Sequence, residues 1–361
     1  MDLHIFNPEH DIALSYDVPH ISVPHAAQEL RMNLGFLPAL WAADGDCVLV
    51  EDIKFALKSA APFKNLIADV LFVEKKDLAE LPIDGVKPWG WDKRIRAELL
   101  ESGVDERILP VDKELQFVRT ISDRCNTTNV LAELRRGIEG RTCGEAFRCN
   151  STGEVEDVCA AHRSVVVKCP WSSSGRGLRY VDGKMDDAKR AWVEKSIMRQ
   201  GHVMVEPHYN KVCDFAVEFV SDGKGQVESR GLSVFHTSNG KYTGNVIASE
   251  EEKRMRISRY VDLELLDRVV DRMEKLFSDM LGSEYKGPFG VDMMAVADLA
   301  TGRLLLHPCV EMNMRRTMGH VALALTQKPL QFASMMSITH KVNYQFRIER
   351  IEGKFVNVIF R

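Results

Sequence analysis

The chain has 361 residues, of which 45% are hydrophobic and 28% are charged, with a formal net charge of −4 and a pI near 6.3. This length predicts two or three domains with their own cores, and the composition is typical of a soluble globular protein. The weak negative charge argues against a nucleic-acid partner, because such partners attract broad basic surfaces. No apolar run approaches the roughly 18 residues of a membrane span, so no membrane partner is expected.

The eight cysteines are scattered singly, without a C-x-x-C pair. This pattern in a chain of this size predicts reduced thiols, and a disulfide or metal at the closest pair, Cys143 and Cys149, is the alternative. The acidic start MDLHIFNPEHD lacks the basic and then apolar pattern of a signal peptide. We therefore expect a cytoplasmic protein.

The first 115 residues alternate strand-like runs with helical stretches, which predicts a small α/β domain. Strands are expected at 47–50 and 70–73, and helices at 53–61 and 93–102, the latter capped by Asp92.

A polar cluster follows the strand predicted at 3–6 and includes Asn7, Glu9, His10 and Asp11. The carboxyl ends of parallel strands are where α/β sheets bind ligands, so His10 and Asp11 are candidates for contacting a substrate or acting as a base. An exposed polar turn explains the same residues, and a metal site is a third interpretation.

The run SVVVKCPWSSSGRGLRYV predicts a buried strand over 165–167 that ends at Lys168 and is followed by a loop of small residues. The lysine can reach a phosphate as a point charge, and backbone N–H groups and hydroxyls of such loops cradle phosphate oxygens. A flexible turn is the alternative, and the spacing of a Walker loop is absent. The loop residues concerned are Ser172, Ser173, Ser174, Gly175, Arg176 and Gly177.

Two further strands are predicted downstream, one over 203–206 that ends at Glu206 and one over 213–220 that begins beside Asp214. A helix is expected over 186–200, with Asp186 at its start and Gly201 after its end. The segment Leu263–Leu281 carries an apolar stripe at helical spacing and is expected to be a core helix.

Near the end, GPFGVDMMAV and LLLHPCVEMNMRRTMG read as two strands joined at 298–303. Alternation along a strand places Glu311, Asn313 and Arg315 on one face, and pairing across the turn puts Asp292 opposite Cys309 on that face. Two carboxylates and an amide oxygen suit Mg²⁺, which prefers hard oxygen ligands. A surface ion pair at a polar strand edge is the simpler alternative.

The order and spacing of these features resemble the ATP-grasp superfamily over roughly residues 122–319. The resemblance implies an α/β fold in which two α+β lobes enclose ATP, preceded by a small α/β domain. The expected division is 1–115 for the N-terminal domain, 116–205 for the small lobe and 206–361 for the large lobe.

The resemblance also assigns roles. Lys168 matches the lysine on the α- and β-phosphates, and Ser172–Gly177 the loop that closes over the triphosphate. Arg124 stands where a second lysine is usual in the family. Glu206 matches the acid beside the adenine, and Asp214 falls near the acid that contacts the ribose. Lys241 is a candidate for a further phosphate contact. The implied magnesium ligands are Asp292, Glu311 and Asn313, and Arg315 is the arginine of the E-x-N-x-R ending.

The implied activity is that of an ATP- and Mg²⁺-dependent ligase that activates a carboxylate as an acyl phosphate for attack by an amine or thiol. Lys168 would neutralise the phosphates, and Arg315 and Arg316 are candidates for holding the carboxylate or the oxyanion. An ATP-grasp kinase and a non-catalytic nucleotide-binding regulator remain alternatives. The expected partners are a small carboxylate and an amine or thiol acceptor, with a homodimer as a further expectation.

Overall fold

The structure is a computed structural model that describes residues 1–172, 177–238, 241–330 and 332–351, without the side chains of Ser238 and Lys241. Its strands form three sheets of four, four and seven strands. The sheets follow one another along the chain. No helix in the described ranges is long and apolar enough to cross a membrane.

The N-terminal sheet is parallel and has the strand order β3-β2-β1-β4. Its strands are β1 (Asp2–Ile5), β2 (Cys47–Leu49), β3 (Leu71–Val73) and β4 (Gly85–Pro88). Its helices are α1 (His10–Tyr16), α2 (His25–Leu34), α3 (Ile53–Ala60) and α4 (Lys93–Glu101). The carboxylate of Asp92 accepts a hydrogen bond from the backbone of Ile95, so the predicted helix cap is present.

One alternative for this region, an exposed polar turn after β1, is wrong. Asn7, Glu9 and His10 are buried, and helix α1 begins at His10 and carries His10 and Asp11 in its first turn. Both residues still lie beyond the carboxyl end of a parallel strand, which keeps them at the edge of the sheet where ligands bind.

The second sheet is antiparallel, with the order β5-β8-β6-β7. Its strands are β5 (Phe147–Cys149), β6 (Ser164–Lys168), β7 (Leu178–Asp182) and β8 (Val203–Pro207). The helices of this region are α5 (Asp112–Ile121), α6 (Asn126–Arg135), α7 (Thr152–Ala161) and α8 (Asp187–Gln200). Gly201 ends α8 with a φ of 89°, a conformation that favours glycine.

The third sheet is antiparallel and follows the order β13-β12-β9-β10-β11-β14-β15. Its strands are β9 (Lys211–Asp222), β10 (Val227–Ser238), β11 (Lys241–Ile247), β12 (Lys286–Ala297), β13 (Leu304–Asn313), β14 (Ser334–His340) and β15 (Tyr344–Arg350). Its helices are α9 (Glu250–Ile257), α10 (Leu263–Leu281) and α11 (Met318–Thr326). The predicted helix over Leu263–Leu281 is confirmed, and its apolar stripe lies in the largest hydrophobic cluster.

The register of β12 and β13 differs from the one expected from the sequence. The backbone of Asp298 does bond to Arg303, as the predicted turn requires. An irregularity between Asp292 and Met294 then shifts the pairing, so that Asp292 lies opposite Glu311 rather than opposite Cys309. The shift places the two carboxylates directly across from each other.

A shared core joins the N-terminal sheet to the third sheet. Phe36 and Val48 of the N-terminal region belong to the same buried cluster as Ile247, Val321 and Phe346. The backbone of Arg316, just past β13, also donates a hydrogen bond to the carbonyl of Trp89 at the end of β4. The N-terminal domain is therefore packed beside the end of β13. The boundaries expected near residues 115 and 205 stay predictions.

Candidate active site

Two acidic side chains face each other across the β12–β13 pair. Asp292 lies opposite Glu311 in the register, and Glu218 of the neighbouring strand β9 also acts on it electrostatically. Burial, followed by the charges of Glu311 and Glu218, raises the pKa of Asp292 to about 8. The charge of Arg315 lowers this pKa but does not offset burial and the two acids. The adjacent carboxylate oxygen atoms are hard ligands, which fit Mg²⁺.

Arg124 connects one of these carboxylates to the start of the loop after β6. Its guanidinium forms an ion pair with Glu311, and it donates to the hydroxyl and carbonyl of Ser172 at 2.8 and 3.0 Å and to the carbonyl of Cys169 at 2.6 Å. Burial disfavours its charge, but Glu311 and Asp11 act more strongly together and raise the pKa of Arg124. The planar fork of an arginine makes these simultaneous contacts possible, whereas a lysine has only one nitrogen.

Lys168 and Glu206 form a buried ion pair with an Nζ–Oε2 distance of 2.6 Å. Both side chains are about 8% exposed. Burial raises the pKa of Glu206, and the charge of Lys168 opposes this change. Lys168 ends β6 and Glu206 lies on β8, which pairs with it, so the small sheet brings the predicted phosphate and adenine residues together.

Asn313 and Arg315 connect this group to the N-terminal domain. The side chain of Arg315 donates to the amide oxygen of Asn313 at 3.0 Å and binds the carboxylate of Asp11 with contacts of 2.8 to 3.2 Å. Burial would raise the pKa of Asp11, but the neighbouring Arg315 charge holds it below its usual value. Helix α1 therefore contributes a residue to the same place as the end of β13.

A narrow cleft separates these elements. Its walls come from the N-terminal domain, from the start of α6, from the loop after β6 and from the end of β13. The polar residues that line it are Asp11, Ser122, Arg124, Ser172, Glu311 and Asn313.

The other predicted site residues lie around this cleft or outside the described residues. Asp214 on β9 forms an ion pair with Lys211 and accepts a hydrogen bond from Thr237 at 2.9 Å. Gly177 packs so closely on Ser172 that a Cβ at this position would overlap the serine hydroxyl. Ser173, Ser174, Gly175 and Arg176 lie outside the described residues, as does the side chain of Lys241.

The sequence did not point to one buried acid that acts on Asp292. Glu218 is 1% exposed, and its Oε2 atom lies 3.0 Å from Nδ1 of His320 at the start of α11. A Cβ at either Gly290 or Gly319 would overlap its carboxylate. The one available signal was a carboxylate inside the apolar run FAVEFV, which is more often a strand residue facing solvent.

No protein-family model matches the chain, and no curated protein matches it in sequence. Solved structures do match. A biotin carboxylase domain of 2-oxoglutarate carboxylase from Hydrogenobacter thermophilus, determined with MgADP, ADP and bicarbonate, is similar with a TM-score of 0.54 at 14% identity. The match covers 85% of this chain and 72% of that one.

Two further matches agree. Biotin carboxylase from Campylobacter jejuni, in complex with an ATP analogue, gives a TM-score of 0.52 at 11% identity, over 93% of this chain and 75% of that one. N5-carboxyaminoimidazole ribonucleotide synthetase from Thermus thermophilus gives a TM-score of 0.50 at 14% identity. That match covers 99% of this chain and 95% of the synthetase. The chain has the ATP-grasp fold. This confirms the predicted fold, while identities this low leave the ATP-grasp activity of the chain to be proposed.

Proposed function

We propose that this ATP-grasp protein is an ATP- and Mg²⁺-dependent ligase that joins a carboxylate to an amine or thiol. The observation that carries the proposal is the facing pair Asp292 and Glu311, which lies next to the Arg124-lined cleft. Its hard oxygen atoms and the raised pKa of Asp292 fit a divalent cation. The fold neighbours include enzymes solved with MgADP, ADP and bicarbonate, and with an ATP analogue, which supports the same ligands here.

Each residue of the candidate site would have a role that follows from its position. Asp292, Glu311 and Asn313 would hold Mg²⁺, which supplies charge neutralisation for phosphoryl transfer when bound. Lys168 lies on the adjoining sheet and would reach the α- and β-phosphates, while Glu206 would accept a hydrogen bond from the adenine amino group. Both roles require the present Lys168–Glu206 ion pair to open.

Arg124 and Arg315 would act on opposite sides of the cleft. Arg124 already holds Ser172 at the start of the loop predicted to cover the triphosphate. Arg315 would orient the carboxylate substrate, with Asp11 fixing the guanidinium plane from the N-terminal domain. Arg316 instead stacks on the ring of Trp41, with 4.6 Å between its guanidinium carbon and the ring centroid. Of the two arginines, Arg315 is therefore the better candidate for substrate contact.

The reaction then needs no covalent bond to the protein. The carboxylate oxygen would attack the γ-phosphorus of ATP and release ADP, and the amine or thiol would attack the resulting acyl phosphate and release phosphate. Cys169 is buried and donates weakly to Ser196, at 3.6 Å, so it has no geometry for a nucleophilic role. The acceptor is expected to lie between Asp11 and the end of β13.

The test is thermal unfolding with ATP or ADP, each with and without Mg²⁺. A nucleotide present at 100 times its Kd adds about 2.7 kcal/mol to the free energy of unfolding, so binding raises Tm visibly. We expect a Mg²⁺-dependent increase in the native protein and loss of the Mg²⁺ dependence in Glu311→Gln. The matched control is Glu228→Gln, since Glu228 lies on β10 of the same sheet and its side chain is 62% exposed.

The absence of any nucleotide-dependent shift would refute the proposal. If binding is present, phosphate release is then measured with carboxylates and amines supplied singly and together. A ligase releases phosphate only when both are present, whereas a kinase transfers phosphate to a stable product.

A further inference from the structure

A second group of metal-ligating side chains lies behind the cleft. Asp123 and Cys125 come directly before α6, and His202 lies between α8 and β8. Their ligand atoms all lie within 4.8 Å of one another. Asp123 and His202 are buried, and Cys125 is partly exposed. In the part of the chain that the structure describes, this is the one group of at least three histidine, cysteine or acidic side chains so arranged.

The chemistry of this group differs from that of the Asp292–Glu311 pair. A thiolate and an imidazole nitrogen are soft and borderline ligands, which select Zn²⁺ and related transition metals. Mg²⁺ prefers oxygen atoms and retains water, so it competes poorly for such a group. The two places would therefore take different ions.

The present geometry is close to what such an ion needs. The Nε2 atom of His202 lies 3.1 Å from Oδ1 of Asp123. Tetrahedral zinc with nitrogen and oxygen bonds of about 2.0 Å places those atoms about 3.3 Å apart. The sulfur atom of Cys125 lies within 4.8 Å of the other two ligand atoms. From that limit it must come roughly 1 Å closer to them to form a Zn–S bond of about 2.3 Å. The side chain of Cys125 can supply this movement because it is the only one of the eight cysteines that is not buried.

The surroundings of these side chains favour the charged form of Asp123 and disfavour that of Cys125. Burial would raise the pKa of Asp123, but its hydrogen bond with His202 holds it below the usual value, so the group is a carboxylate. The same carboxylate accepts a hydrogen bond of 2.8 Å from the backbone of Cys125. Burial, followed by the charge of Asp123, raises the pKa of the Cys125 thiol to about 11, and the nearby Arg148 opposes this effect.

We propose that Asp123, Cys125 and His202 form a three-ligand site for a zinc-class divalent ion, separate from the magnesium site. On binding, the thiol loses its proton to solvent and the imidazole proton moves from Nε2 to Nδ1. The metal takes both lone pairs, and no electron transfer is involved. Water would fill the fourth position.

This site would act on the cleft through Arg124, which lies between two of the ligands in the sequence. The metal would tie the segment just before α6, which contains Arg124, to the start of β8, the strand that carries Glu206. The proposal does not require the ligase activity, because metal binding is measured without substrates.

The first test is titration with Co²⁺ in the presence of excess Mg²⁺, followed by absorption spectroscopy. We expect a sulfur-to-cobalt charge-transfer band in the native protein, which Zn²⁺ abolishes by displacement. Cys125→Ser should lose the band and bind Zn²⁺ at least about tenfold more weakly, a loss found even for residues that only support a ligand. The matched control is Cys159→Ser, a buried cysteine of the neighbouring helix α7, which should keep the band.

A second measurement is independent of how well the serine variant folds. Cys125 should react first with a thiol reagent in the native protein, and Zn²⁺ should protect it. Asp123→Asn and His202→Ala should retain the reactivity but lose the protection. A native protein that gives no thiolate–cobalt band at millimolar Co²⁺, or whose Cys125 reacts equally fast with and without Zn²⁺, would overturn the proposal.

Discussion

Three cations of the candidate site each bind a carboxylate of the chain itself. Arg124 binds Glu311, Lys168 binds Glu206 and Arg315 binds Asp11. Such pairs balance charge in a protein without ligand, since an unpaired buried charge is costly. A ligand that binds to one of these cations would therefore have to replace the carboxylate of its ion pair. Single substitutions in these pairs should affect both the free energy of unfolding and ligand affinity.

The Lys168–Glu206 pair allows the two effects to be separated. Lys168→Met leaves Glu206 buried and unpaired, so we expect a loss of about 3–5 kcal/mol in the free energy of unfolding. The double variant Lys168→Met/Glu206→Gln should recover most of this stability because no unpaired charge remains. Both variants should bind ATP more weakly than the native protein in calorimetry. Native-like ATP affinity in the stable double variant would remove Lys168 from the nucleotide site.

A second residue-scale prediction concerns pH. Because the pKa of Asp292 rises from 3.8 to about 8 on folding, the native state keeps a proton that the unfolded chain releases. Relative to Asp292→Asn, the free energy of unfolding should therefore fall as pH increases from about 4 to about 8 and then level off. Saturating Mg²⁺ should remove the fall, since the ion stabilises the carboxylate. Urea unfolding across this range, with and without Mg²⁺, measures the difference, and a relative gain in stability toward pH 8 without Mg²⁺ would contradict it.

Residue types and their order predicted the fold and the charged residues that the structure brings together, except Glu218, but not the contacts between them. Lys168, Glu206 and Glu311 were identified because charged residues at the ends of apolar strands are conspicuous. The Arg124–Glu311 pair joins residues 187 positions apart, and local patterns carry no information about such a distance. Glu218 was missed because strand alternation says which face a residue occupies and not which helix covers that face.

At the scale of elements, an irregularity of one strand pair determines how Asp292 and Glu311, the proposed metal ligands, are placed. The pairing shifts between Asp292 and Met294, and this shift puts Asp292 opposite Glu311. Such irregularities depend on the twist of the whole sheet and leave no periodic trace in the sequence. The turn at 298–303 and the register from it to Met294 were predicted correctly, and the register beyond Met294 was not.

The start of α11 gives a prediction at the same scale. Alanine normally favours a helix over glycine by about 1 kcal/mol, but a Cβ at Gly319 would overlap the buried carboxylate of Glu218. Gly319→Ala should therefore lower the free energy of unfolding by about 1–3 kcal/mol, as overpacking does. In the background Glu218→Ala the same change should cost less, because only the hydroxyl of Ser233, 2.5 Å from that Cβ, still has to move. Chemical denaturation of the four proteins tests this, and equal effects in both backgrounds would exclude the steric explanation.

At the scale of the whole molecule, the N-terminal domain and the large sheet share one core. Phe346 of β15 contacts Phe36 and Phe63, with ring centroids 6.4 and 5.2 Å away. Because the shared cluster also contains residues of α11, separation of the domain would expose apolar surface on both sides. The two parts should unfold together.

Phe346→Ala tests this coupling. Removing a buried phenylalanine costs about 3–5 kcal/mol, and here the loss falls on the contact between the two parts. We expect tryptophan fluorescence and far-UV circular dichroism to give coincident urea transitions in the native protein and separate transitions in the variant. The control is Phe147→Ala, which removes a phenylalanine from the middle sheet. Coincident transitions in Phe346→Ala would argue against a weakened contact.

The contact between Arg124 and Glu311 has a consequence for how the protein responds to its ligands. A free metal ion must compete with a guanidinium that is already on Glu311. The phosphate oxygens of a nucleotide would pair with that guanidinium in place of Glu311. This would lower the free-energy cost of metal binding to Glu311. Metal and nucleotide should therefore bind with positive cooperativity, and each must increase the affinity of the other by the same factor. Under the proposed function, the protein would therefore bind metal and nucleotide together more tightly than the two separate affinities imply.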